Sequence, residues 1–231
     1  MFIKLFLSIL TCFIPMIAGF FVFLLKAKIK PLHLLFAILL GFIAIIPGSL
    51  IQYFIPKNIL FVNYPILHSL IVSLLIYGLS EEIFKTLFII PLPKKNYSPL
   101  LFLCLSMMMG LSFCCFESVV YFLDNMQLAI NREAQLMYSL IFTRLFTSDV
   151  IHTACAGLCG IFVYSCFQKK AKLSALIFAI LLHGLYDFFV AFKNGLRWFF
   201  IPVLILAVLE CRIKYKDLVS DDSIGDPQFS D

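Results

Sequence analysis

Charged side chains are scarce in this sequence: they make up 13% of its residues, whereas hydrophobic residues make up 62%. A water-soluble domain needs more polar surface than this chain can supply, so a soluble globular fold is excluded. Apolar runs long enough to cross a bilayer as helix, about 20 residues each, recur along the chain. The runs are solid rather than alternating, which favours helices over a β-barrel. We therefore predict an all-α, polytopic transmembrane helix bundle.

The absence of several sequence motifs reduces the number of functions that the chain can have. The eight cysteines include no CxxC pair and lie mostly within apolar runs, where cysteine packs as a small hydrophobic residue. No basic groove-binding stretch is present, so we assign the net charge of +5 to loops and expect no nucleic-acid partner. The GxSxG and HExxH motifs are also absent, as is an evident Ser–Lys pair in the predicted helices.

The apolar runs divide the chain into about seven predicted spans. They cover approximately residues 5–25, 33–55, 66–91, 99–123, 137–167, 171–193 and 196–211. The first continues too long for a signal peptide and is expected to remain as an anchor. We predict one transmembrane helical domain over residues 1–216, with its motif-bearing core at about 66–193. Residues 217–231 form an acidic tail that is predicted to be cytoplasmic and without fixed structure.

Lysine and arginine are concentrated in alternate loops of this arrangement. The richer segments are residues 26–30, 94–95, 169–172 and 212–216. Positively charged loops remain in the cytoplasm, so these four segments are predicted to lie there. The N-terminus is then outside and the C-terminus inside.

Ionisable side chains nonetheless fall inside the predicted helices, where each charge costs roughly 2.5–3.5 kcal/mol at mid-bilayer. Such groups must face one another or a wet cavity, and each is a functional hypothesis by default. Four of the helices carry them: Glu81, Glu82 and Lys85 in the third, Glu117 in the fourth, Arg144, Asp149 and His152 in the fifth, and His183 and Asp187 in the sixth.

Helical spacing places several of these groups on shared faces. Glu81 and Lys85 are four residues apart and can pair, and Glu82 lies about 100° around the same helix. His183 and Asp187 have the same spacing, so the carboxylate can hold the imidazole ring and fix its tautomer. These relations favour one common polar cluster.

The fifth helix leaves two interpretations open. Asp149 precedes His152 by three residues and is spaced to orient that ring. Alternatively, Arg144 and Asp149 form a buried ion pair that is purely structural.

The fourth helix carries Gly110 and Ser106 on the face that also bears Glu117. Small residues at these positions are expected to let a neighbouring helix approach closely. Counted from the predicted helix ends, Glu117 lies several ångströms nearer the outer side than the other glutamates, and a kink or tilt is needed to close that gap.

Four motifs in this order resemble the PrsW family of intramembrane proteases, distant relatives of CAAX prenyl proteases and bacteriocin-processing enzymes. Residues 81–85 read EEIFK and match an EExxK motif, and residues 113–117 read FCCFE and match FxxxE. Arg144 followed by His152 is similar to the histidine-bearing helix of the family. Residues 183–187 read HGLYD and match an Hxxx motif that ends in Asn or Asp. The resemblance covers about half of the chain.

The resemblance implies cleavage of peptide bonds within or next to the membrane. It further implies an integral, multi-pass protein of a bacterial plasma membrane, whose partners are the lipid bilayer and a membrane-protein substrate, often a single-span anti-sigma factor. The chain departs from the family at Ser118, where an Asn usually follows the glutamate of the second motif. This departure puts a polar contact beside Glu117 in doubt.

Amide hydrolysis needs an activated water and a stabilised oxyanion. We assign Glu81 or Glu82 as the general base, with Lys85 keeping Glu81 ionised. His152 and His183 are expected to polarise the carbonyl or hold the oxyanion. Two further carboxylates are expected to orient the water and an imidazole: Glu117 and Asp187.

A metal-dependent version uses the same side chains. Two histidines and one glutamate that leave an open position suit catalytic zinc, and the ligands would be drawn from Glu82, Glu117, His152 and His183. We favour chemistry without a cofactor because Lys85 already supplies a cation beside Glu81, but zinc remains possible.

Two other classes of protein are compatible with the composition. A proton- or ion-coupled transporter also uses chains of carboxylates and histidines, although the sequence shows no inverted repeat or paired broken helices. A membrane scaffold without enzymatic activity leaves the cluster of carboxylates unexplained. The protease is the leading interpretation.

The predicted orientation can be tested with reporter fusions. Fusions made at Lys94 and at Lys170 should report a cytoplasmic location, because both lie in lysine-rich loops. Activity of a periplasmic reporter at either position would contradict the orientation.

Overall fold

The computed structural model describes residues 2–55, 61, 63–94, 97–130 and 134–225. Within these ranges every regular element is a helix, which confirms the all-α prediction. In chain order they are α1 (Phe2–Cys12), α2 (Ile14–Leu25), α3 (Pro31–Phe54), α4 (Pro65–Ile71), a π-helix (Val72–Leu79), α5 (Ser80–Ile89), α6 (Pro99–Ile130), α7 (Ala134–Phe167), α8 (Leu173–Val190), a 3-10 helix (Gly195–Phe199) and α9 (Phe200–Gly225).

In the described part of the chain, five helical stretches are long and apolar enough to cross a membrane. They are Pro31–Phe54, Pro65–Ile89, Pro99–Leu123, Thr143–Phe167 and Leu173–Val190. These stretches agree with the second to sixth predicted spans and confirm a multi-pass integral membrane protein. The total of seven spans and the orientation of the termini remain predictions.

The first predicted span and the predicted acidic tail differ from the helices observed. The first is divided, because α1 ends at Cys12 and α2 begins at Ile14. Pro15 stands in the first turn of α2, where a missing N–H is tolerated and the fixed φ favours a helix start.

The acidic tail is the second difference. α9 continues to Gly225, so the prediction of an unstructured tail is wrong for residues 217–225, while residues 226–231 lie outside the described chain. Acidity alone does not end a helix, and neither Gly nor Pro interrupts the sequence from Val203 to Ile224.

The centre of the bundle is formed by α6 and α7. Their membrane-length segments are 67% buried within the protein, against 39% or less for the other three. Large apolar side chains cover the periphery, and Leu32 and Phe54 are each 72% exposed. Lipid tails are the solvent for such a surface, so the polar side chains turn inward instead.

Gly110 allows the close approach of α6 to α7 that the sequence predicts. A Cβ atom at this position would overlap the Ala156 side chain and lie 2.7 Å from the backbone oxygen of His152. Ser106 likewise packs against Gly160. The contact brings the backbone at His152 directly against α6.

A second close approach seats α8 on the π-helix that precedes α5. A Cβ atom at Gly184 would lie 2.7 Å from the Leu74 Cα and 2.9 Å from the Ser73 backbone oxygen. Gly184 directly follows His183, and the π-helix ends directly before Ser80. This contact therefore fixes His183 relative to the glutamates that open α5.

Gly110→Ala should lower the stability of the bundle by about 1–3 kcal/mol, because the added methyl group forces α6 and α7 apart. Thermal unfolding of the purified protein in detergent measures the change. Gly195→Ala is the matched control, since no described residue other than its neighbours along the chain lies within 4 Å of a Cβ there. Equal unfolding temperatures for both variants would show that the packing at Gly110 is not tight.

Candidate functional site

Four helices bring the sequence-predicted residues together inside the bundle. α5 supplies Glu81, Glu82 and Lys85, and the facing helices supply Glu117 from α6, His152 from α7 and His183 from α8. Glu82 and Lys85 are completely buried, and the two histidines are 1% exposed. The two imidazole rings meet edge to face, with centroids 4.6 Å apart. The predicted common cluster is therefore present in the fold.

Both carboxylate oxygens of Glu82 have hydrogen-bond partners. Glu82 Oε1 accepts from Lys85 Nζ and lies against His183 Nδ1, each at 2.6 Å. The thiol of Cys159 donates to Glu82 Oε2 at 3.4 Å. The sequence had paired Lys85 with Glu81, but its closest partner is Glu82. Glu82 thus holds the lysine and one histidine in place.

Glu81 has one oxygen without a hydrogen-bond partner. Its Oε1 accepts a hydrogen bond from Gln52 Nε2 at 2.8 Å. Its Oε2 is buried and makes no hydrogen bond to the described residues. Three nitrogens surround this oxygen at 3.7–3.8 Å, namely Lys85 Nζ, His152 Nδ1 and His183 Nε2. A buried carboxylate oxygen normally has a partner, so this one is available to a water, a proton or a cation.

Glu117 reaches the cluster despite its predicted offset. Its Oε2 lies 2.9 Å from the guanidinium of Arg144 and 3.0 Å from His152 Nε2. The offset had been counted from predicted helix ends, whereas α6 continues to Ile130. The ends of α6 therefore do not mark the same depth as those of the shorter helices.

Arg144 is paired with Glu117, so the alternative of an Arg144–Asp149 pair is not observed. Its Nε and NH2 groups donate to the hydroxyls of Ser118 and Ser148, each at 3.2 Å. Ser118, the departure from the family pattern, does make a polar contact beside Glu117. The guanidinium is fixed from several sides and holds Glu117 beside His152.

The two aspartates have different surroundings. Asp187 Oδ2 lies 3.5 Å from His183 Nε2, at the edge of the cluster. Asp149 does not orient His152, and that expectation is wrong. Both of its oxygens are buried without a hydrogen-bond partner among the described residues, and it lines a separate, largely apolar cavity of about 540 Å³ that Arg212 also lines. A spacing of three residues permits a contact, as it does between Glu82 and Lys85, but the Asp149 side chain lines this separate cavity instead.

Sequence reasoning missed two contributors to this site. Gln52 comes from α3 and is the side chain that holds Glu81 Oε1. An amide within an apolar membrane helix was an available signal for it. Cys159 was interpreted as packing only, yet its thiol contacts Glu82. A cysteine in an apolar run gives no signal of such a contact.

A metal ion fits the same centre. Glu81, His152 and His183 each offer a ligand atom, and these atoms lie within 4.8 Å of one another. Zinc ligands about 2.0–2.1 Å from a tetrahedral ion are separated by roughly 3.4 Å, close to the spacing around the unpartnered Glu81 oxygen. The sequence-based set had drawn on Glu82, but here it is Glu81 that faces both histidines.

The far sides of the histidines strengthen this fit. His183 Nδ1 contacts Glu82 at 2.6 Å, and His152 Nε2 lies 3.0 Å from Glu117. A carboxylate behind each ligating histidine is the usual support of a zinc site. Lys85 Nζ lies 2.8 Å from His152 Nδ1, so Lys85 competes with an ion for that nitrogen.

The charges of the described cluster are unequal. Its carboxylates are Glu81, Glu82, Glu117 and Asp187, and its permanent cations are Lys85 and Arg144. Two negative charges therefore remain to be offset by protons, by protonated histidine or by a bound cation.

Comparison with known proteins gives one family. A family model described as PrsW family intramembrane metalloprotease matches residues 30–210, which include every residue of the cluster. No curated protein and no solved structure matches the chain.

The two adjacent glutamates should differ in their effect on stability. Glu82→Gln leaves the buried Lys85 without its closest carboxylate, and breaking a buried ion pair costs about 3–5 kcal/mol. Glu81→Gln should change stability by less than about 1 kcal/mol, because one of its oxygens has no partner to lose. Thermal unfolding in detergent compares the two variants. A larger loss for Glu81→Gln would contradict the described hydrogen bonding.

Proposed function

This chain belongs to the PrsW family of intramembrane metalloproteases, and from that premise we propose that it hydrolyses a peptide bond of a membrane-protein substrate by means of the cluster on α5–α8. The observation that carries the proposal is the unpartnered oxygen of Glu81, which is buried among two histidines and a lysine. A carboxylate with one free oxygen in a largely apolar bundle is suited to take a proton from an attacking water.

Glu81 is the general base in this proposal, rather than Glu82. Gln52 holds one oxygen of Glu81 and thereby directs the other towards His152 and His183. Glu82 is already engaged by Lys85 and His183, so it acts by positioning these two groups. We thus choose Glu81 over Glu82 as the base because Glu81 has a carboxylate oxygen without a hydrogen-bond partner among the described residues.

His183 has its two nitrogens in different surroundings. Nδ1 contacts Glu82 Oε1 at 2.6 Å, so an ionised Glu82 keeps a proton on Nδ1. Nε2 faces Glu81 and Asp187 at 3.7 and 3.5 Å. When protonated, Nε2 can donate to the carbonyl oxygen of the substrate as negative charge develops there. His152 lies beside it and serves the same electrophilic side of the reaction.

The same side chains fit a divalent cation. Glu81, His152 and His183 would hold it, with Glu82 and Glu117 behind the histidines. Such an ion supplies an electrophile that acidifies water and polarises a carbonyl. In that version Glu81 serves as a ligand, and the set of essential residues stays the same.

By family resemblance, the proposed substrate is a single-span membrane protein similar to an anti-sigma factor, in a bacterial plasma membrane. The apolar periphery of the bundle suits a substrate that arrives within the bilayer, because peripheral side chains such as Leu32 are exposed.

Glu81→Gln should abolish cleavage of a single-span reporter by the purified protein, with a loss of at least about 10²-fold, because an amide cannot accept the proton. His183→Ala should cost about 10²–10³-fold through loss of carbonyl polarisation. Cys115→Ala, a buried position outside the cluster, is the matched control and should stay within about twofold of the parent. Undiminished cleavage by Glu81→Gln would refute the proposed role of Glu81.

Metal dependence is measured on the same samples. In the metal-free version the purified protein contains no stoichiometric zinc, and a chelator leaves cleavage unchanged. Inhibition by the chelator that added zinc reverses, together with loss of zinc from His183→Ala, would assign Glu81, His152 and His183 as ligands.

A further inference from the structure

A second cavity, of about 300 Å³, adjoins the proposed catalytic cluster. Two of its lining residues, Arg144 and Asp187, also contact the cluster, through Glu117 at 2.9 Å and through His183 at 3.5 Å. The side chains of Glu117 and Asp187 are each 29% exposed, whereas that of Glu82 is fully buried. The cluster is therefore open on the side that this cavity occupies.

The cavity lies at one end of the membrane-spanning helices. Its lining also includes Tyr121 on α6 and Thr143 and Thr147 on α7, and the rest comes from the C-terminal end of α8 and the segment that leads into α9, including Lys193 and Arg197. These two residues are exposed, so they form the rim. Both residues follow the end of the membrane-length helix Leu173–Val190, so the rim lies beyond the apolar part of that helix.

The charge of this entrance is positive. Arg144 on its floor is paired with Glu117, and Asp187 lies beside His183. Neither Lys193 nor Arg197 forms an ion pair with a described carboxylate. Two cations are thus left to attract a negatively charged group.

The rim cations are held on an ordered segment. The Asn194 side chain accepts a hydrogen bond from the Leu196 backbone at 3.1 Å and caps the 3-10 helix that carries Arg197. The wall beside it is fixed by the hydrogen bond between Thr147 and Tyr186, at 2.7 Å. The backbone that carries both cations is thus held beside the cavity, and charges kept at an entrance can distinguish between substrates.

We propose that this cavity receives the substrate segment next to the scissile bond, and that Lys193 and Arg197 select segments that carry Asp or Glu at this membrane end. This inference rests on the proposed proteolytic function and adds the class of substrate to it. Anionic lipid headgroups would also be attracted to exposed cations at a membrane surface. The cavity favours a peptide because it leads to Arg144 and Asp187 at the catalytic cluster.

The test uses the full-length protein in neutral detergent and three single-span reporters. The reporters differ only in the residues next to the span at this end, which are acidic, neutral or basic. We expect kcat/KM to decrease from the acidic to the neutral to the basic reporter, and the preference to shrink as salt is raised. The Lys193→Glu/Arg197→Glu double variant should cleave the acidic reporter about tenfold less efficiently and the neutral reporter within about twofold of the parent.

Lys26→Glu/Lys30→Glu is the matched control. It changes the net charge equally, at exposed lysines between α2 and α3, at the opposite end of the spanning helices. Its preference for the acidic reporter should equal that of the parent. An unchanged preference in the Lys193/Arg197 variant, or an equal loss on acidic and neutral reporters, would overturn the proposal. A preference that appears only after anionic lipid is added would assign the rim to lipid headgroups and would also overturn it.

Binding separates this inference from the proposed function. Affinities of the three reporters are measured with Glu81→Gln, which needs no turnover. We expect Glu81→Gln to bind the acidic reporter most tightly, and the added Lys193→Glu and Arg197→Glu changes to reverse this preference. That result supports the selective rim even if the parent protein cleaves none of the reporters. In that case the proteolytic function fails and the recognition stands. If Glu81→Gln binds all three reporters equally and the parent protein cleaves them, the proposed selectivity of the rim is refuted while the proteolytic function stands.

Discussion

The contact of Glu82 with Lys85 and His183 is the constraint on which the rest of the site depends. A lysine that is completely buried in a membrane bundle needs an anion at hydrogen-bond distance, because an unpaired charge there is very costly. Glu82 Oε1 lies 2.6 Å from Lys85 Nζ and contacts His183 Nδ1 at the same distance. The link between α5 and α8 is thus polar at its centre, and the close packing at Gly184 maintains it.

Because Glu82 is engaged in this contact, the adjacent Glu81 has different hydrogen-bond partners. Glu81 is nearly as deeply buried, but among the described residues its only hydrogen bond comes from Gln52 on α3. The free oxygen then faces His152 and His183, where a proton, a water or a cation completes the arrangement. Two chemically identical side chains that are adjacent in sequence thus have different surroundings, which is the basis for proposing one as positioning and the other as reactive. The same division suits both the metal-free and the metal-dependent version of the chemistry.

The surroundings of the cluster differ from one side to another. α6 and α7 pack closely at Gly110, whereas Asp187 borders the cavity that leads to the cationic rim. A hydrolase within lipid must admit water without exposing its buried charges to the bilayer. An opening at the end of the helices meets both requirements. Asp149, by contrast, faces a different cavity and is not a member of the cluster, although sequence spacing had placed it there.

Composition and order of residues determined the class of this protein. Apolar runs require helices because backbone groups must be satisfied within each segment in lipid, and charges inside those runs must converge because isolated ones are too costly. These arguments selected Glu81, Glu82, Glu117, His152 and His183, which meet in the structure, and also Asp149, which does not join them. Only the tertiary structure decided which side chains these residues contact. The pairing of Lys85 with Glu82, of Arg144 with Glu117 and of Gln52 with Glu81 depends on how separate helices rotate and slide against one another, and helical periodicity within one segment carries no information about that.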